Sequence, residues 1–216
     1  SGWPAARGLA GGSAIQHVLL ARAVRLEACT IAESNGAGLT FLGQDGVAVG
    51  CTIRDHGQLG IGGSGCHGLR LIDCRISGNN RKNFDRGWEA GGVKLTLCRG
   101  VEVAGCQMLR NRGIGLWFDI GVEETHVHHC LLAGNEDAGL FYEISYRLHA
   151  HDNVAAGNGL ATMPQSWGAQ AGIAISSSDG VLLERNLLFG NREGLALREQ
   201  DRRTPRIGGG EEVPIV

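Results

Sequence analysis

Asp119 and Glu143 close two runs of one design, Gly115-Leu116-Trp117-Phe118-Asp119 and Gly139-Leu140-Phe141-Tyr142-Glu143, set 24 residues apart. Paired carboxylates have a defined chemistry. One protonates a glycosidic oxygen while the other acts as nucleophile or base, with about 5 Å between them for retention and about 6.5 to 9.5 Å for inversion. Trp117 and Phe141 stand two residues before the acids, and aromatic rings beside acids suit the apolar C–H faces of sugars. Related runs place Lys94 and Thr96 ahead of this pair and Ser176 and Arg198 after it. Glu89, five residues before Lys94, supplies a third carboxylate.

These residues meet only if the runs stack, and the chain has the repeat that stacks them. Cys29, Cys51, Cys74, Cys106 and Cys130 form a column continued by Asn153 and Asn186, with steps of 22, 23, 32, 24, 23 and 33 residues. A second column lies five residues later, at Ser34, His56, Asn79, Asn111, Asn135, Asn158 and Asn191. A glycine then opens a short apolar run at Gly38, Gly60, Gly92, Gly115, Gly139, Gly172 and Gly194. Each unit holds three runs that alternate with period two, as in Val101-Glu102-Val103, so each is three strands. One such unit cannot bury its apolar face alone and must stack on its neighbours. The pattern predicts an all-β solenoid, a parallel β-helix of about seven rungs. The leucine-rich frame Leu-x-x-Leu-x-Leu-x-x-Asn, the other architecture near this period, is absent. Asn and Gly suit the corners because both tolerate left-handed backbone angles, and stacked Asn side chains can hydrogen-bond along the column.

Alternation puts the first and third residues after each glycine inside and the second and fourth outside. The outward fourth column reads Leu42, Ser64, Thr96, Asp119, Glu143, Ser176, Arg198, and the outward second column Thr40, Gly62, Lys94, Trp117, Phe141, Ala174, Ala196. Asp119 and Glu143 are then stacked neighbours about 5 Å apart, both expected to face water in a groove. Repulsion across that distance should hold a proton on one of the two. Both long steps insert residues at the same corner, about 80–91 and 159–171, and wall the acid-bearing rungs. The first wall carries Arg81, Lys82, Asp85, Arg86, Trp88 and Glu89; the second carries Met163, Gln165, Trp167 and Gln170. The readings for substrate contact are Trp117, Phe141, Thr96, Ser176, Arg198, Trp88 and Trp167, and for catalysis Asp119, Glu143, Glu89 and Lys94.

His126 and His128 recur 23 residues later as His149 and His151. The repeat makes them a two-by-two imidazole array facing outward on a different sheet from the acids, where vertical pairs can share a transition metal. The seven cysteines read as stacked interior thiols, since five share the first column and Cys66 and Cys98 share another. Parallel in-register side chains rarely reach disulfide torsions. No Cys-x-x-Cys pair marks a zinc site.

With 216 residues and 43% hydrophobic content the chain reads as a single domain over 1–216, with repeats over about 14–200 and an irregular tail over 201–216. A net charge of −2 argues against nucleic acid, and no apolar run approaches the roughly 18 to 20 residues of a membrane helix. The start at Ser1-Gly2-Trp3 carries no signal sequence, which leaves export open for a processed chain, and a glycan-directed role favours a secreted or cell-surface location. The ends of the solenoid lack strong caps in Ser1 to Gly12 and in the charged tail, and either end can dock a further domain or a second copy.

Trp88-Glu89-Ala90-Gly91-Gly92-Val93-Lys94, the Gly115 to Ile120 run and the Gly139 to Ser145 run resemble right-handed parallel β-helix repeat proteins of the pectate-lyase-like superfamily, over about residues 14 to 200. The resemblance implies a groove along one sheet that cleaves, epimerises or binds polysaccharide. The Asn-Thr-Asp, Asp-Asp and Gly-His-Gly runs of polygalacturonases are absent, so their mechanism does not carry over. Hydrolysis of a polysaccharide or oligosaccharide by the paired carboxylates, needing no cofactor, is the preferred reading. Elimination or epimerisation on a uronate glycan is the alternative, with Lys94 as base, Arg198 or a loop arginine as charge partner and Glu89, Asp119 and Glu143 as a Ca2+ cage. The third reading is a non-catalytic glycan-binding or structural module.

Overall fold

The computed structural model describes residues 19–20, 22–162, 170–202, 204 and 206–207. All regular elements among them are β-strands, and no helix is long and apolar enough to cross a membrane. The strands build three parallel sheets of eight, seven and seven, and the chain visits the sheets in turn. The glycine-led runs form the first sheet, including Gly91–Thr96, Ile114–Asp119, Leu140–Glu143 and Ala171–Ser176. Leu19–Leu20 adds an eighth strand beside Leu39–Phe41 that no glycine marks. The second sheet includes Glu102–Ala104, Glu123–His128 and Tyr146–His151, and the third includes Thr30–Ala32 and Leu131–Ala133.

Inward residues of all three sheets form one continuous core, in which Leu116 and Phe118 stack on Leu140 and Tyr142. The Asn column works as a hydrogen-bonded ladder. The Asn111 side-chain amide donates to Asn135 Oδ1 at 3.0 Å, and that of Asn135 to Asn158 Oδ1 at 2.9 Å. Each of these oxygens also accepts the backbone N–H of the residue above. The cysteines of the other column form no disulfide, and their thiols donate to corner carbonyls, as Cys130 does to His128 O at 3.3 Å. Burial pushes the Cys51 thiol up.

The left-handed corner angles fall elsewhere than expected. The residue before each column position carries them, at Ala28, Gly50, Asp73, Gly105, His129, Asp152 and Arg185, while the column Asn residues keep ordinary angles. Most of these seven are not glycine. Their strain is held by pairing with the next rung, as when Asp73 N donates to Ala104 O at 2.8 Å. The glycines that open the first-sheet strands have a different cause, close approach. A Cβ at Gly115 would lie 2.7 Å from Asn135 Nδ2 and 2.8 Å from Gly139 O.

Both long insertions leave at the corner between the third and first sheets, after Arg75–Ser77 and after Val154–Ala156. Asn80 anchors the first, accepting from Phe84 N at 2.7 Å and donating to Arg112 O at 2.8 Å. Arg86 reaches from it to Glu136 at 2.6 Å and Asp137 at 3.6 Å. The described part of the tail is irregular but anchored. Arg206 forks onto Glu123 at 2.9 and 3.2 Å, and Tyr146 donates its hydroxyl to Thr204 O at 2.6 Å. Ser1 to Gly12, the weak cap candidate at the start, lies outside the described residues.

Candidate functional site

The first sheet delivers the register that the repeat requires. Lys94 pairs with Trp117 and Thr96 with Asp119, and Trp117 pairs with Phe141 and Phe118 with Tyr142. Asp119 and Glu143 are the next residues along each strand. Glu143 in turn pairs with Ser176, and Ser176 with Arg198.

The expectation that this face lies open to water is corrected. Trp117 and Phe141 are only 3% and 1% exposed and stack on each other at 5.7 Å. With Ile114, Ala138, Ala171 and Ala174 they form a second apolar cluster outside the main core. They are therefore not free platforms for a sugar. Alternation gives the side of the sheet on which a ring lies, whereas covering it removes its apolar area from water and is favoured by about 25 cal/mol per Å².

Both acids are buried too, and each has its own cation. Lys94 Nζ lies 3.0 Å from Asp119 Oδ2, donates to Trp88 O at 2.5 Å and sits 3.7 Å from the centre of the Trp117 ring. Glu143 is paired with the Arg202 guanidinium from the tail. The repulsion expected between the acids is thus answered by two separate ion pairs. Asp119 Oδ1, Trp117 Nε1 and Ser176 Oγ are buried and make no hydrogen bond among the described residues.

One accessible part of the face lies beside the first insertion. Gly62 leaves the outer face bare there, and a hollow of about 80 Å³ is lined by Thr40, Gln58, Ser64, Glu89, Lys94 and Thr96. Thr96 donates to Ser64 at 3.0 Å, and Gln58 holds the backbone of Glu89 through its carbonyl at 2.9 Å. Trp88, from the first insertion, is 55% exposed. Lys94, Glu89, Thr96, Trp88 and Asp119 are thus brought to one end of the face. Ser176 and Arg198 line a different hollow near the last rung, of about 470 Å³, with Phe141 and Gln170. Trp167, with Met163 and Gln165, lies outside the described residues. The sequence gives Gln58 and Ser64 no role, although Gly62 in the outward second column marks a gap between them. Arg202 sits outside the repeat, so no column could point to it.

On the second sheet His126 pairs with His149 and His128 with His151, and all four rings are partly accessible. Burial, with the like charges of His128, His151 and His149, holds His126 below the usual imidazole value. Among the described residues, the groups that gather three ligand atoms within 4.8 Å are His126, His149 and His151, and Glu102, His126 and His128. Glu89, Asp119 and Glu143 form no such group.

Three parallel sheets wound in rungs around one core define the class, a parallel β-helix. Residues 13–188 match the family described as right handed beta helix region, and the chain belongs to it. No curated protein matches the sequence. Among solved structures the chain is similar to the GH136 lacto-N-biosidase from Eubacterium ramulus, at 12% identity and a TM-score of 0.57, over 69% of this chain and 38% of that one. It is also similar to full-length tailspike protein 2 from Escherichia coli O157:H7 bacteriophage CAB120, at 10% identity and a TM-score of 0.55, over 87% of this chain and 27% of that one. The chain spans well under half the length of either. At these identities the likeness concerns the fold.

Proposed function

We propose that the protein acts on a polysaccharide or oligosaccharide by glycoside hydrolysis, at the hollow between the first insertion and the outer face of the first sheet. The observation that carries this reading is Asp119. It is held by Lys94 through one oxygen, its other oxygen has no hydrogen-bond partner among the described residues, and Glu89 and the exposed Trp88 stand at the same end of the face. A buried, unsatisfied carboxylate oxygen is costly, and a substrate hydroxyl or anomeric centre is a group that can use it. Asp119, as the ion-paired carboxylate, takes the nucleophile or base role. Glu89, with no cation partner among the described residues, takes the acid role. Lys94 joins Asp119 to the Trp88 carbonyl, so a sugar reaches Asp119 by displacing Trp88. Glu143, buried under Arg202, positions the neighbouring rung. The lacto-N-biosidase on a similar fold supports an oligosaccharide among the first substrates to try. Elimination fits less well, because the Lys94 side chain is engaged by Asp119 and by the Trp88 carbonyl and is not free to take a substrate proton.

A second reading rests on the same burial. Two acids each neutralised by a cation also suit a face that binds glycan without cleaving it. A panel of neutral and uronate glycans, incubated with and without chelator and read for reducing ends and for ultraviolet absorbance, separates the readings. Reducing ends without absorbance, lost in Asp119→Asn with the fold intact, are expected. Absorbance that needs calcium would replace hydrolysis by elimination. Binding without either signal would leave the module.

A further inference from the structure

The second sheet carries a cluster that the glycan reading does not use. His126, His128, His149 and His151 project from two adjacent strands, and their rings stack in vertical pairs, His126 on His149 at 5.2 Å and His128 on His151 at 5.2 Å. The diagonal is closer still, with His126 Nε2 and His151 Nε2 2.7 Å apart. Stacking alone accounts for the vertical pairs, since the parallel register puts like residues over one another. It does not account for what stands behind the rings. His151 Nδ1 contacts Asp152 at 2.6 Å, His149 Nε2 contacts Glu184 at 2.8 Å, and His128 Nε2 contacts Glu102 at 3.4 Å. Asp152 is itself gripped by Arg185 through two bonds of 2.9 Å. An imidazole whose far nitrogen is fixed by a carboxylate presents its near nitrogen as a lone pair in a set direction, the arrangement that orients histidine ligands around metals.

We propose that His126, His149 and His151 bind one borderline transition-metal ion of the Zn2+ class, with Asp152 and Arg185 as the outer support of His151. One ligand atom from each of the three histidines already lies within 4.8 Å of the others. Two nitrogens on one tetrahedral zinc, each about 2.0 to 2.1 Å from it, stand roughly 3.3 Å apart, so the His126 and His151 nitrogens, now 2.7 Å apart, need to part by about 0.6 Å. Imidazole nitrogen suits zinc, copper and nickel and not calcium. The fourth position is left to water, to His128 or to Glu102, which shares the second three-atom group with His126 and His128. Glu102 and His126 lie on adjacent strands and pair in register, so the ion would tie successive rungs together from outside, on a sheet that bears neither insertion.

The test uses the untagged chain, stripped with chelator and titrated with ZnCl2 and CoCl2. One Zn2+ per chain, a cobalt spectrum of nitrogen ligation and a rise in unfolding temperature with zinc are expected. His126→Ala and His151→Ala should each lower affinity at least tenfold. Asp152→Asn should lower it about 10- to 100-fold while leaving the three ligands in place. The histidines are partly exposed, so these variants should keep the β circular dichroism of the parent, and Asp119→Asn should bind zinc unchanged. Absence of stoichiometric binding to the parent chain would overturn the proposal. So would affinity that survives the His126→Ala/His151→Ala double change.

Discussion

The outer faces of the first and second sheets obey one register and differ in what stands over them. On the first, Lys94 and Asp119 are each 8% exposed, and the Lys94 ammonium lies against the rings of Trp88 and Trp117. On the second, Arg70 and Glu102 form an ion pair of similar length, 2.7 Å, with 54% and 31% of their side chains exposed. The insertions account for part of the contrast, since both leave at the corner leading into the first sheet and the first one supplies the Trp88 carbonyl to Lys94. The same pairing of charges is therefore a structural constraint on one face and a solvated contact on the other. Side-chain position in a repeat and side-chain environment are separate properties.

The largest expected effect breaks the buried pair. Lys94→Met leaves Asp119 buried without its cation, and removing one partner of a buried pair costs about 3 to 5 kcal/mol, read as a fall in the denaturation midpoint. The double change Lys94→Met/Asp119→Leu should recover most of that loss while still lacking turnover, which separates the stability of the face from its chemistry. A single change costing under about 1 kcal/mol would show that the pair reaches water after all.

Glu123, where the second sheet meets the tail, gives an intermediate case. Burial pushes its carboxyl up, but the Arg206 fork and the Ile207 N–H outweigh this and hold it below the usual glutamate range. The unfolded chain then binds the extra proton first. The stabilisation is complete above the ordinary value of about 4.3 and is lost as pH falls through the lower folded value. Glu123→Gln should flatten the acid limb of a midpoint-against-pH curve, and an unchanged slope would count against the fork. The smallest effect is expected on the open face, where Arg70→Ala should cost no more than about 1 kcal/mol and less at high salt.

Much of this molecule was legible in the spacing of Cys, Asn and Gly, because a solenoid repeats its hydrogen-bonding positions and those positions demand particular side chains. The register of Asp119 on Glu143 and of His126 on His149 followed from the same count. The burial of Trp117 and Phe141 was not legible, since period two assigns sides and says nothing of how tightly neighbours on one side pack. Arg202 and Arg206 reach their acids from outside the repeat, where no column exists. The strand Leu19–Leu20 escaped notice because it lacks the opening glycine that close approach imposes on later rungs. The left-handed positions at Asp73, His129 and Asp152 were hidden because neighbouring rungs impose an angle those residues would not choose alone.

The sulfur column makes the chain its own recorder of unwinding. Cys29 sits half-buried in the first rung, whereas Cys51, Cys74, Cys106 and Cys130 lie almost wholly inside. An alkylating reagent must wait for each coil to open before it can react, so the order in which these thiols are marked spells out the direction in which the spiral comes apart.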